Sequence, residues 1–300
     1  MIPLNHFTKH KFKDAFKNSV QNTKAVLRKL AKGKSKLVQP PKDYKLVFED
    51  NFTTLDKSKW KLGQAWGDFH PEHLYQYYDI TGELVYTTSE GLSLDLRKKP
   101  KHYIKADLPT WRQTEKMPDE FTIPVGVGLV TTLDSWQWGW FESEIKLPKG
   151  EAYWPAFWLS GVNTWPPEID IFEAYSDKGA YYNNKLLKLF NVKDWKIQPN
   201  IHWGDTNNGT KKQYGSYNSP INDVTERFVQ YVCHWEKDFI RIYYDGLLIL
   251  ECTDKKILDW FNRQSDKMNI IINHGLHSAK VINPDESSMI IKYVKVYQKL

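Results

Sequence analysis

Cysteine is scarce in this 300-residue chain: Cys233 and Cys252 are its whole complement. At most one disulfide can form, so the fold must rest on buried apolar surface rather than covalent staples. No apolar run is long enough to cross a bilayer, and the N-terminal MIPLNHFTKHKFKDAF has no apolar stretch of signal-peptide type. A membrane-spanning helix is thus excluded, no export signal is visible in the chain as written, and its localisation stays open. Internal repeats and low-complexity segments are also missing. What is abundant is core-forming material, with 41% hydrophobic and 15% aromatic residues, enough for one large all-β domain or two modest ones.

Acid is nearly absent from residues 1–40, which hold ten Lys or Arg against the single Asp14. That net of +9 leaves −3 for residues 41–300 of a chain whose total is +6. Phe12, Phe16, Val20, Leu27 and Leu30 give residues 10–32 the spacing of a basic amphipathic helix, able to meet a membrane surface, a nucleic acid or a partner protein. Charge-rich termini more often stay solvated and partly disordered. Residues 1–40 are therefore expected to be a basic leader, helical or disordered, ending at Pro40-Pro41, with residues 41–300 forming the globular domain.

Helical periodicity is scarce after Tyr44. Short stretches rich in Val, Ile and aromatics recur instead, among them YKLVFED, GLSLDL, WGWFESEIKL, YWPAFWLS, EIDIFEAY, RFVQYVCHW, FIRIYYDG, LLILEC, MNIIIN and SMIIKYVKVYQ. So many strands without strand–helix alternation predict an all-β jelly-roll sandwich of two antiparallel sheets. Asp245-Gly246 predicts a tight hairpin between FIRIYYDG and LLILEC, which puts Cys233 and Cys252 on opposite sides of the middle strand. Two strand spacings are about 9.5 Å, beyond the roughly 7 Å reach of a disulfide, so both thiols are expected to be free.

The segment WPPEIDIFEAY, residues 165–175, sets Glu168, Asp170 and Glu173 among isoleucine and aromatic side chains. On a strand Glu168 and Asp170 share one face while Ile169 and Ile171 enter the core, and strict alternation would bury Glu173 with the isoleucines. An unpaired carboxylate is strongly disfavoured there. One extra residue, a β-bulge near Ile171-Phe172, returns Glu173 to the face of the other two acids. Two carboxylates about 5–5.5 Å apart are the equipment of a retaining glycosidase, and their mutual repulsion separates a nucleophile from a proton donor. Trp154, Trp158 and Trp165 lie close by and offer faces on which sugar rings stack; a solvent-facing acidic strand edge is the plainer alternative.

At these residues the chain resembles glycoside hydrolase family 16. EIDIFE is similar to that family's E-x-D-x-x-E signature in its bulged form and follows WPAFWL at 154–159. YKLVFEDNF with LDKSKW, WGWFESEIKLPKG, FVQYVCHWEKDFIRIYYDG and YVKVYQ are similar to other landmarks in order. The resemblance implies a jelly roll with an open cleft on its concave sheet, a laminarinase-, agarase-, porphyranase- or carrageenase-like enzyme cutting internal β-glycosidic bonds with retention. It implies Glu168 as nucleophile, Glu173 as general acid and later base, and Asp170 as the assisting aspartate. Trp154, Trp158, Trp165 and His202 are the implied substrate-binding residues. Many members also hold calcium; here Asn51 and Lys292 stand at the matching positions, so no metal and no cofactor are expected. Glu144 likewise replaces a common arginine.

A polysaccharide is the expected partner of a monomeric catalytic domain, with no nucleic acid. Its identity stays open between a neutral β-1,3-glucan and a marine-type galactan, because connections 101–122 and 176–200 are expected to shape the cleft. The second carries Lys178, Lys185, Lys188, Lys193 and Lys196 with Trp195, a set suited to anionic galactans or to a solvated surface. A transglycosylase of the same fold and a non-catalytic glycan-binding jelly roll are the alternatives; loss of a catalytic carboxylate would mark the latter, and all three acids are present.

Overall fold

A computed structural model describes residues 36–64, 67–71, 73–176, 196–206, 209–215, 224–263, 266–277 and 284–300. Residues 1–35 of the expected leader, helical or disordered, and Lys178, Lys185, Lys188, Lys193 and Trp195, lie outside the described residues. Two large sheets pack face to face. The first runs Leu247–Cys252, Ile240–Tyr244, Val229–Trp235, Gly139–Lys146, Ser287–Lys299, Gly91–Arg97, Gly126-Val127 and Tyr77-Tyr78, with Tyr44–Asp50 and Val85–Thr88 pairing onto it. The second runs Lys212–Gly215, Lys196–Trp203, Glu168–Tyr175, Ala156–Gly161, Met268–Asn273, Leu129–Thr132 and Trp60–Leu62. Pairing is antiparallel except between Tyr77-Tyr78 and Gly126-Val127. This is the jelly-roll β-sandwich that the strand pattern predicts.

Alternation builds the core. Ile169, Phe172, Ala174, Phe157, Leu159 and Ile201 from the second sheet meet Tyr231, Cys233, Trp235, Ile240 and Ile242 from the first, all essentially solvent-free. Each buried Ile, Leu or Phe among them stabilises the sandwich by about 1.5–3 kcal/mol before entropy is counted. The hairpin at Asp245-Gly246 has φ 47° and 77°, the left-handed pair that a two-residue turn matching strand twist requires. At the leader's end Gln230 Nε2 donates to the Val38 carbonyl at 3.1 Å, tying residue 38 to the sandwich.

Several elements escape the sequence pattern. Segment 101–122 is not a bare connection: Lys101–Ile104 and Glu120–Ile123 form their own two-stranded sheet. Phe69, Tyr77, Tyr103, Met117 and Ile123 give it a small core. The connection 176–200 ends in a true strand, Lys196–Trp203, and Lys255–Arg263 is an α-helix whose Ile257, Leu258 and Phe261 are buried. The two departures Glu144 and Lys292 pair with each other across neighbouring strands, Nζ to Oε2 at 2.7 Å.

Cys233 pairs with Ile242 and Cys252 with Ile240 from opposite sides of the Ile240–Tyr244 strand. Both are free thiols, wholly buried, and burial pushes Cys252 up to about 11 and Cys233 higher still. The native protein should therefore show no thiol reactive toward a disulfide reagent at pH 8, and two after denaturation. A fast-reacting thiol in the native state would contradict this packing.

Candidate active site

Strand Glu168–Tyr175 holds the three acids, and the bulge is in it. Against Ala156–Gly161, Phe157 pairs with Phe172 and Trp158 with Asp170, so Ile171 has no opposite number. Against Lys196–Trp203, Asp170 pairs with Asn200 and Glu173 with Gln198, so Ile171 and Phe172 together face Pro199. Both extra side chains are buried, while Glu168, Asp170 and Glu173 all line one open cleft of about 490 Å³. The face is less exposed than the alternation suggests: Asp170 retains 3% of its surface.

Each carboxylate is held separately. Trp165 Nε1 donates to Glu168 Oε2 at 2.7 Å, and His202 Nε2 lies 3.2 Å from Glu168 Oε1 and 3.3 Å from Asp170 Oδ2. His202 is in turn flanked by Asn200 Nδ2 at 3.1 Å and Gln213 Nε2 at 3.4 Å. On the other side, Trp154 Nε1 and the Tyr175 hydroxyl both donate to Glu173 Oε1, at 3.1 and 3.0 Å. The Trp154 and Tyr175 rings stack at 5.8 Å. Trp158 Nε1 donates instead to Asn273 Oδ1 at 2.9 Å.

The structure thus brings Trp154, Trp158, Trp165 and the three acids to one cleft, with His202 beneath two of the acids. Pattern reading misses Tyr175, Asn273, His70, His73, Gln76 and Tyr78. Asn273 was reachable, since alternation along MNIIIN puts it opposite Ala156 on the cleft face. Tyr175 was reachable too, two residues beyond Glu173 in the same strand. His70, His73 and Gln76 sit in a loop with no periodicity to read.

Two side-chain clamps fix the loops around the acids. Asp266 accepts from the Asn163 and Thr164 backbone amides, the Asn163 amide group and the Thr164 hydroxyl at 2.8–3.2 Å, pinning the turn that presents Trp165. Asp68 accepts from Lys101, Tyr103 and Arg112 and so fastens segment 101–123 to the loop carrying His70 and His73. Burial pushes the Asp68 carboxyl upward, yet the bonds from Lys101 and Tyr103 hold it below the usual range.

Burial works against charge at the acids. It pushes Glu168 up to about 8, helped by the Asp170 charge and opposed by His202 and the Trp165 bond. Asp170 is raised well above the ordinary range by burial and by Glu173. Burial lowers His202 despite the neighbouring Glu168, and raises Tyr175, which stays a protonated donor. Lys211, its Nζ 3.9 Å over the Trp165 ring, opposes the rise at Asp170. Glu168, Asp170 and His202 also form the one group among the described residues whose donor atoms, within 4.8 Å of one another, could converge on a cation.

A jelly roll with a cleft walled by acids and tryptophans belongs to the glycan-recognising and glycan-cleaving sandwiches. The sequence model of glycosyl hydrolases family 16 matches residues 77–295, and the chain belongs to that family. It is 23% identical over 289 residues to glucan endo-1,3-β-glucosidase A1 of Niallia circulans, covering 85% of this chain and 38% of that relative's length. Similarity to the β-glucanase of Rhodothermus marinus is 25% over 284 residues, covering 85% of each. Among solved structures, SCLam, a non-specific endo-β-1,3(4)-glucanase, superposes with a TM-score of 0.64 at 25% identity, covering 89% of this chain and 95% of that one.

Because the folded Glu168 pKa lies above its ordinary 4.5, the unfolded chain ionises more readily as pH rises. The associated stability is full below about pH 4.5 and lost as pH climbs through about 8. Glu168→Gln should therefore melt at a higher temperature than the parent at pH 8–9, with the gap closing toward pH 5. A gap that widens toward acid pH in scanning calorimetry would refute the assignment.

Proposed function

We propose that this chain is an endo-acting, retaining hydrolase of β-1,3-linked glucan. The observation that carries the proposal is the bulge at Ile171, which sets Glu168 and Glu173 on one cleft face with their carboxylates held by different donors. Glu168 attacks the anomeric carbon while Glu173 passes its proton to the departing glycosidic oxygen. Glu173 then takes a proton from water, which attacks the same carbon and releases Glu168. Trp154 and Tyr175 both bond Oε1 of Glu173, which suits Oε2 to the proton. Desolvation makes the Glu168 charge costly, and the positive charge growing on the sugar in the transition state offsets that cost. Asp170, more deeply buried than either glutamate and raised well above the ordinary range by that burial, lies with His202 beside Glu168 and keeps it in register.

Two of the names support β-1,3-glucan: a glucan endo-1,3-β-glucosidase and a non-specific endo-β-1,3(4)-glucanase each align over most of this chain. Trp154, Trp158 and Trp165 supply apolar faces for uncharged sugar rings. A reducing-end assay over laminarin, lichenan, agarose, porphyran, carrageenan and keratan sulfate tests the reading, with release expected from laminarin. Release from the galactans alone would overturn the substrate. Glu168→Gln should lower kcat on laminarin by at least about 10³-fold, whereas Glu173→Ala should lose about 10²–10⁴-fold and recover with azide on an activated aryl glycoside. Parental turnover in Glu168→Gln would remove it from the nucleophile's role.

A further inference from the structure

We infer that Tyr244, a core residue of the opposite sheet, is a positioning residue that aims Glu173 by holding the bulge; the inference rests on the acid role given to Glu173 above. An extra residue in a ladder leaves backbone groups without their regular partners, and a buried carbonyl needs a donor. On the Lys196–Trp203 side the residue facing the bulge is Pro199, which has no N–H to offer. The donor comes from across the sandwich instead: the Tyr244 hydroxyl donates to the Ile171 carbonyl at 2.7 Å, fully buried.

Tyr244 is itself held. It is solvent-free on strand Ile240–Tyr244, and its ring meets Tyr231 edge-on at 5.1 Å. Tyr231 in turn packs at 4.4 Å against Phe172, the second residue of the bulge. One residue of the bulge is therefore fixed through its carbonyl and the next through its ring. Glu173 follows directly, and its direction relative to Glu168 is set by the backbone angles at Ile171 and Phe172. Loss of the Tyr244 hydroxyl leaves the ring packing in place but frees the Ile171 carbonyl to seek another donor, which turns the peptide that leads to Glu173. Glu168, three residues before the bulge and held by Trp165 and His202, keeps its place.

The consequence is specific to proton donation. With Tyr244→Phe, kcat on laminarin should fall about tenfold or more with KM within about twofold, as expected for a small misplacement of the acid. A dinitrophenyl β-glycoside assayed with azide, where neither leaving group nor nucleophile needs Glu173, should be turned over within about twofold of the parent. The double variant Tyr244→Phe/Glu173→Ala should be no slower on laminarin than Glu173→Ala. Ile242→Val, on the same strand, controls for simple destabilisation and should show no polymer-specific loss. Equal losses on both substrates, an unchanged kcat on laminarin, or additive losses in the double variant would overturn the role of Tyr244 alone. Parental laminarin turnover in Glu173→Ala would overturn this inference together with the reading on which it rests.

Discussion

One residue too many in strand Glu168–Tyr175 governs the rest of the site. Alternation obliges successive side chains to opposite faces, and six residues carrying acids at the first, third and sixth positions cannot satisfy it. Sending both Ile171 and Phe172 into the core resolves the conflict. Two apolar side chains gain burial, a third carboxylate escapes it, and the ladder to each neighbouring strand is interrupted at the same place. The neighbours are matched to the interruption: a proline, which would break a regular inner strand, stands where no regular bond was available.

The acids then pose an electrostatic problem that the surrounding groups only partly relieve. Three carboxylates in a low-dielectric cleft floor cannot all ionise freely, and Glu168 and Asp170 are pushed up. Indole and phenol donors hold Glu168 and Glu173 without adding charge, and His202 Nε2 lies within 3.3 Å of both Glu168 and Asp170 while burial favours its neutral form. Lys211 is a nearby cation, seated on Trp165. The site is consequently built mostly from neutral donors on rigid strands, where small movements change pairing strongly.

Around this floor, two buried aspartates act as loop fasteners. Asp266 gathers the turn before Trp165 and Asp68 gathers segment 101–123, with Arg112 lying 4.1 Å over the Phe69 ring. A substitution of Gly67 would place its Cβ 2.5 Å from the Arg112 guanidinium, so the close approach requires glycine. The cleft walls are thus held by charge-assisted bonds, whereas its floor is held by the β ladder.

Strands rich in Val, Ile and aromatic residues were legible from sequence, and four of them, YKLVFED, EIDIFEAY, LLILEC and MNIIIN, have the expected bounds. Lys196–Trp203 was hidden because Pro199 reads as a strand breaker, and the short pair in segment 101–123 because its apolar residues serve a separate small core. The acid spacing alone demanded a bulge near Ile171, since period-two geometry leaves no other way to keep Glu173 out of the core. What spacing could not specify is which groups hold each carboxylate. Tyr244, Asp266 and Asn273 lie from 73 to 115 residues away from the groups they bind, and Asp68 from 33 to 44, and no local pattern encodes such pairings. Local sequence determines which face a side chain takes, because backbone geometry is local; which partner waits there is decided only when the two sheets close on one another.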